Sequence, residues 1–419
     1  MTEMNNNVLD QAREEALSVP LDEIHLGEAH RFESNTHWPF FDRVRREAPV
    51  HFCPESEFGP YWSIMRWDDI MTAETSHKAL SSADGIFIGD RAADFVPRSF
   101  ITSDEPLHGT WRKPTMPAVG PQRLQELQTL VRERVGKILD DLPRNETFNW
   151  VELVSIELTT QMLATLFDFP WEDRRLLTFW SDTVTNTDQM GYASISAEER
   201  QKILMECAAY FQELWTERAK AEPRHDFISL LAHHPDTKDL NEAPLDLLGN
   251  LMLLIVGGND TTRNSISGGL NALNENPDQY DRLRAGGMDL VPNMVSEIIR
   301  WQTPLAHMRR RAIEDCEIGG KQIRTGDKVI MWYVSGNRDD AKFTEPYKFR
   351  IERDNARNHI SFGFGIHRCM GNRVAEMQLR ILWEEILKRF DRIDVVGEAK
   401  RTRSNFVMGF EDLPVKIAA

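Results

Sequence analysis

The run Phe362-Gly-Phe-Gly-Ile-His-Arg-Cys369-Met-Gly371 sets one cysteine in a glycine-dense loop just ahead of a predicted helix. Glycine lets the backbone turn its N–H groups inward and approach a bound group closely. Inward N–H groups and the positive end of a helix favour a thiolate over a thiol. A thiolate held in this way suits a heme iron as axial ligand. A buried structural cysteine in a turn is the competing reading. Phe362, Gly365, His367 and Gly371 around Cys369 weigh against it. A zinc site on His367 and Cys369 would need two more ligands, and the neighbourhood offers none.

Three further groupings carry chemistry-bearing side chains. Gly257-Gly258-Asn259-Asp260-Thr261-Thr262 interrupts a helix predicted from Pro244 to Leu273. A glycine in a helix interior costs about 1 kcal/mol against alanine, so something must offset each of the pair. Close helix packing is one reading, and room for a molecule beside the helix is the other. Leu251 to Val256 is apolar all round, the pattern of a helix buried through a core. Asp260 and Thr261 in that setting need partners or a chemical task. His108 and Arg112, spaced i,i+4, share one face of a helix that Ser103-Asp104-Glu105-Pro106 starts. By itself that face reads as exposed and polar. Glu297 and Arg300, spaced i,i+3, share a face as well, and most such pairs are solvated.

The Cys369 loop resembles the heme-binding signature of the cytochrome P450 family, Phe-x-x-Gly-x-His/Arg-x-Cys-x-Gly. The other groupings stand in the family's order over nearly the whole chain. The resemblance implies heme b (iron-protoporphyrin IX), ligated by Cys369 and cradled by Phe362, Gly363 and Gly371. Gly257 to Thr262 resembles the family's oxygen-activating segment. That match gives Thr261 a hydrogen bond to bound oxygen and makes Asp260 the proton source. The chemistry agrees, because heterolytic O–O cleavage needs two protons and no leak to bulk water. It also implies heme-propionate contacts for His108, Arg112, Arg310 and His367. Strand alternation should point Arg309 and Arg311 away from Arg310. Asp104-Glu105-Pro106 replaces the family's usual Asp-Pro-Pro before the histidine, a mild departure. Glu297-Ile-Ile-Arg300 resembles the family's buried Glu-x-x-Arg pair, a structural lock.

More narrowly, Ile255 to Asn264, Thr303 to Arg310 and Phe227 to His233 resemble a soluble bacterial subgroup. That subgroup hydroxylates terminal carbons of alkanes and fatty acids. Motif matching implies an apolar pocket of Leu253, Val256, Gly257, Leu305, Ala306, Phe406 and Val407. The long Val184 to Ser196 segment lies where substrate entry would be gated. A terpenoid or other bulky apolar substrate is the alternative, as is a peroxide-driven peroxygenase. Peroxygenase members of the family lack the acid–alcohol pair that Asp260 and Thr261 provide. A non-catalytic heme sensor would not need that pair in a glycine-opened helix.

No Gly-x-Gly-x-x-Gly follows a predicted strand, so electrons must come from outside. The resemblance implies a ferredoxin and an NADH-linked ferredoxin reductase, with dioxygen as co-substrate. Lys113, Arg123, Arg368, Arg373 and Arg380 flank the segments expected on the side of the heme that bears the thiolate.

The elements that must position these groups are mostly helical. Leu124, Leu127, Val131 and Val135 predict a helix over Leu124 to Leu139, and others follow at Val151 to Phe167 and Glu198 to Ala219. A last helix begins near Asn372, with Ala375, Leu379, Leu382 and Ile386 on one stripe. Strands are predicted at Tyr61 to Arg66 and Lys328 to Val334, with a hairpin around Gly319-Gly320. The expectation is a mainly α (α+β) cytochrome P450-like fold with small sheets, one domain over residues 1–419. Its 50 basic against 66 acidic residues give a net charge of −16, a poor match to nucleic acid or anionic membrane. The four cysteines lie far apart, which argues against a disulfide framework. Met1 to Phe32 lacks the pattern of a signal peptide, and no apolar run approaches the ~20 residues of a membrane span. A cytoplasmic location is expected.

Overall fold

A computed structural model describes residues 2–91 and 97–418. Its axis is the helix Pro244–Glu275, two residues longer than the expected end at Leu273. Leu247, Leu251, Ile255, Ile266 and Leu270 are buried along it. Around this central helix pack Glu157–Phe167, Arg175–Thr185, Ala197–Arg218 and Val291–Gln302. Pro121–Asp140 lies against Asn372–Arg389, each turning its predicted apolar stripe inward. The helix expected from Val151 is not uniform. Val151–Ile156 is a π-helical segment, and α-geometry starts only at Glu157.

The main sheet runs, edge to edge, Val50–Cys53, Tyr61–Ile64, Lys328–Met331, Met308–Ala312 and Leu80–Ser81. Trp62 pairs in parallel with Val329, and Val329 faces Arg310 on the antiparallel side. The strand expected to reach Val334 stops at Met331, and Tyr333–Gly336 is a helical turn. The Trp332 carbonyl collects the N–H groups of Ser335 and Gly336, each at 3.0 Å, which turns the chain out of the sheet. The hairpin at Cys316–Ile318 and Lys321–Ile323 forms as expected, with φ +53° at Gly319 and +75° at Gly320. That pair of left-handed residues suits a tight hairpin turn. Together the sheet and the helices bring the Cys369 loop, the Gly257 segment, Arg112 and Arg310 to one interior chamber, while Glu297 and Arg300 lie outside it. No described helix is long and apolar enough to cross a membrane.

Candidate active site

Cys369 stands between a short turn, Gly365–His367, and the helix Asn372–Arg389. Gly363 (φ +61°) and Gly365 (φ +66°) occupy the left-handed region, where glycine alone is unstrained. A Cβ on Gly365 would stand 2.6 Å from the Glu74 carbonyl oxygen, so packing demands glycine there too. The Cys369 N–H donates to the Phe362 carbonyl at 2.8 Å and closes the loop. The sulfur is set deep among protein atoms, yet it opens onto the chamber. Burial pushes the thiol pKa up. The N–H groups of Gly371 and Asn372 and the cations Arg112 and Arg368 oppose this without prevailing. Burial thus works against the thiolate expected at this helix start, and the neighbouring N–H groups and guanidinium groups work for it.

Leu253, Val256, Gly257 and Thr261 of the central helix line the same chamber. The two glycines divide the roles that the sequence left open. A Cβ on Gly257 would meet nothing within 4 Å, whereas one on Gly258 would lie 2.7 Å from Leu163 Cδ2. Gly257 thus makes room, and Gly258 permits close packing. Thr261 Oγ1 donates to the Gly257 carbonyl at 2.8 Å, which holds the hydroxyl at the wall. Asp260 is fully buried and does not line the chamber. Its Oδ1 lies 2.9 Å from Arg263 Nη2 and accepts from Asn259 Nδ2 at 3.1 Å. Arg263 Nη1 in turn donates to Asp182 Oδ1 at 2.9 Å. Asp260 Oδ2 is buried without a hydrogen-bond partner. Burial pushes the Asp260 pKa up to about 6, with Arg263 pulling it down. A group that titrates there can give and take a proton near neutrality.

Arg112, Arg310 and His367 line the chamber near Cys369. Arg112 donates to the Arg368 carbonyl and has no carboxylate partner among the described residues. Arg310 forms a buried pair with Glu74 at 3.1 Å. Arg309 and Arg311 point the other way and meet Asp90 at 2.7 and 3.6 Å. His367 Nε2 lies 3.2 Å from Ser82 Oγ, while Nδ1 is buried and unpartnered. Burial, with Arg310 nearby, holds the His367 pKa down to about 2, so the ring is neutral. His108 stands behind the wall. Its ring nitrogens lie 2.7 Å from the Phe100 carbonyl and 3.0 Å from that of Ile366. It packs edge-on against His367, ring centroids 4.4 Å apart.

Of the expected apolar pocket, Leu253, Val256, Gly257, Leu305 and Phe406 line the chamber, whereas Ala306 and Val407 do not. The Ala306 N–H donates to the Phe406 carbonyl at 2.8 Å, and alternation turns its methyl into a core with Ile330 and Trp332. Val407 joins a separate core with Val50 and Ile64. Ile86, Phe87, Leu204 and Met308 are among the further apolar residues on the wall, outside the expected set, and Val184 joins them from the segment expected at the entry. Thr187 and Gln189 also line it, within the segment expected at the entry, and the Gly89 N–H holds the Gln189 carbonyl at 3.1 Å.

Residues 144–415 match the family model described as cytochrome P450. The chain belongs to the cytochrome P450 family. A P450 of Novosphingobium aromaticivorans, cytochrome P450-153, is 44% identical in its solved structure, with a TM-score of 0.87 over 93% of this chain and 98% of that one. Linalool 8-monooxygenase of Pseudomonas putida is 37% identical over 90% of this chain and 94% of its own length. A methyl-branched lipid omega-hydroxylase of Mycobacterium tuberculosis is 30% identical over 95% of each chain.

The P450 family binds heme b through a cysteine thiolate, and the residues on this chamber's wall fit that group. The Cys369 sulfur faces the chamber, with the Gly371 and Asn372 N–H groups and the Arg112 and Arg368 charges near it. Arg112 lacks a carboxylate, and His367 Nδ1 lacks any partner. Heme b brings an iron for the first and carboxylates for the other two. Gly257 leaves the facing side of the space bare.

Proposed function

We propose that this P450 monooxygenase hydroxylates the terminal carbon of a medium-chain alkane or fatty acid. The observation that carries this reading is the apolar wall of Leu253, Val256, Leu305 and Phe406 facing the space that Gly257 opens. The identity to cytochrome P450-153 and to a lipid omega-hydroxylase supports it. Cys369 would hold the heme iron, with Arg112, Arg310 and His367 Nδ1 at the propionates and His108 steadying His367. Heme b, once held, supplies dioxygen activation and insertion of one oxygen atom into a C–H bond. Asp260 and Thr261 keep protons on a route that bulk water does not share. Asp260 titrates near neutrality, and Thr261 holds its hydroxyl at the chamber wall. Electrons come from NADH through a ferredoxin reductase and a ferredoxin. Lys113, Arg357, Arg368 and Arg373 are exposed around the Cys369 loop, with Met116 and Phe364 apolar among them. That mixture suits an acidic docking partner.

Terminal attack is an imposed outcome, because inner C–H bonds are weaker. The wall must hold the methyl end at a near-attack distance of about 3–3.5 Å from the reacting atom. Gly257→Leu puts its Cβ into open space and its branch into the chamber, so the melting temperature holds or rises while turnover falls at least ~tenfold. Leu305→Ala widens the wall and raises the share of inner-carbon alcohols. Gas chromatography of products from a linear alkane decides the point. A wild-type mixture led by 2- and 3-alcohols removes terminal selectivity.

The acid–alcohol pair has its own test. Thr261→Ala keeps heme content and the substrate-induced spectral shift, while product formed per NADH falls roughly tenfold and peroxide accumulates. Unchanged coupling would assign Thr261 a packing role. A terpenoid substrate is the second reading, favoured by the 37% identity to linalool 8-monooxygenase. Tighter binding of branched than of linear ligands of equal carbon number would select it.

A further inference from the structure

The chamber wall is unbalanced in charge. Among its described residues are four arginines, Arg91, Arg112, Arg200 and Arg310, and no aspartate, glutamate or lysine. Arg310 is already compensated by Glu74 at 3.1 Å. Arg112 sits at the Cys369 loop, on the Arg368 carbonyl. Arg91 lies against the turn at Gly85, where its added Cβ would stand 2.9 Å from Arg91 Nε. Arg200 is different. It belongs to the helix Ala197–Arg218, which packs on Arg175–Thr185 and on the central helix, away from the Cys369 loop.

Three observations make Arg200 unusual. It stands in the first turn of its helix, where the helix dipole disfavours a cation. It is partly buried, and the one hydrogen bond of its side chain among the described residues goes to the Asn186 carbonyl at 3.4 Å, so it lacks a carboxylate there. The exposed Asp188 is close enough to attract Arg200 through space but makes no ion pair with it. Gln189 and Thr187 line the same wall, in the turn whose Asn186 carbonyl meets Arg200. The Gln189 backbone N–H donates to the Thr187 hydroxyl at 3.4 Å, and the Gln189 side-chain amide has no hydrogen bond to another described residue. A guanidinium next to an amide donor matches a carboxylate. From there an apolar surface, Val184, Leu204 and Phe87, leads into the chamber.

We infer that Arg200, with Gln189, receives the carboxylate head of an aliphatic acid whose apolar tail fills the chamber. This rests on the P450 hydroxylase reading and selects the acid over the alkane within it. An anchor at the head also explains how a chain with no other polar handle presents its far end.

Spectral titration of the heme-loaded protein with dodecanoate and with dodecan-1-ol tests it. The wild type binds the acid more tightly than the alcohol, and added salt narrows the gap. Arg200→Gln weakens dodecanoate about tenfold and leaves dodecan-1-ol within about twofold. Arg200→Lys restores part of the preference. Equal loss for both ligands would reduce Arg200 to a packing residue, and no loss for either would overturn the inference. A reduced carbon monoxide complex without the thiolate signature would instead defeat the P450 reading, so the two failures are distinguishable. Alcohol binding as tight as acid binding in the wild type overturns the anchor alone.

Discussion

Cys369→His abolishes the thiolate-type absorption of the reduced carbon monoxide complex and takes monooxygenase turnover to the detection limit. The reason lies in how the site is built. The loop offers one sulfur to the chamber, backed by the N–H groups of Gly371 and Asn372 and by Arg112 and Arg368. Those groups favour the thiolate against burial, the form in which the sulfur would hold a heme iron. An imidazole in the same place is a neutral ligand and pushes less electron density toward bound oxygen. The substitution should leave the fold intact, because Cys369 faces open space and its backbone N–H bond to Phe362 survives. Heme content by pyridine hemochrome and the reduced carbon monoxide spectrum check both halves. Cys316→Ser, on a hairpin edge away from the chamber, is the control and changes neither. A thiolate-type spectrum that persists in Cys369→His would place the ligand elsewhere.

Much of this site is legible in the sequence, for a physical reason. The Cys369 loop and the Gly257 segment are local: helix start, glycine geometry and sulfur lie within a dozen residues of each other, so spacing alone constrains them. Gly257 and Gly258 show where that ends. Both carry the same cost in a helix, but only the neighbour Leu163 tells which one is packed and which is open. Ala306 shows it again. Leu305 and Ala306 are adjacent, and which one faces the chamber depends on a hydrogen bond to Phe406, a hundred residues on. Arg200 left no signal beyond one charge in a helix rich in charges. Its meaning comes from a wall assembled from the 86–91 segment and the central helix, far from it in sequence, together with the nearer 187–189 turn. The same holds for Asp260, which spacing places beside Thr261 but which Arg263 draws toward Asp182.

Glu297→Ala costs more stability than any change at the chamber. Glu297 and Arg300 are fully buried, with Arg300 Nε 2.7 Å from Oε2 and Nη2 2.8 Å from Oε1. Arg353 adds Nε contacts to both carboxylate oxygens at 3.2 and 3.1 Å, and the Arg350 N–H donates to Oε1 at 2.9 Å. One carboxylate therefore serves two buried cations. Arg300 also holds the Asn337 carbonyl at 2.7 Å, and Asn337 in turn holds Ser361 at 2.8 Å, beside Phe362. The network thus joins the Val291–Gln302 helix to the start of the cysteine loop. Removing Glu297 leaves Arg300 and Arg353 charged and unpaired in the interior, at about 3–5 kcal/mol for breaking such a pair. A domain stable by about 5–15 kcal/mol loses a large fraction of its margin. The expected result is a fall in urea midpoint and in heme content together. The fraction that does fold keeps a normal reduced carbon monoxide spectrum, because Glu297 touches nothing in the chamber. Glu297→Gln keeps two polar atoms but no charge, and should fall between wild type and alanine. A variant with wild-type stability and a lost carbon monoxide signature would instead move Glu297 from the scaffold to the site.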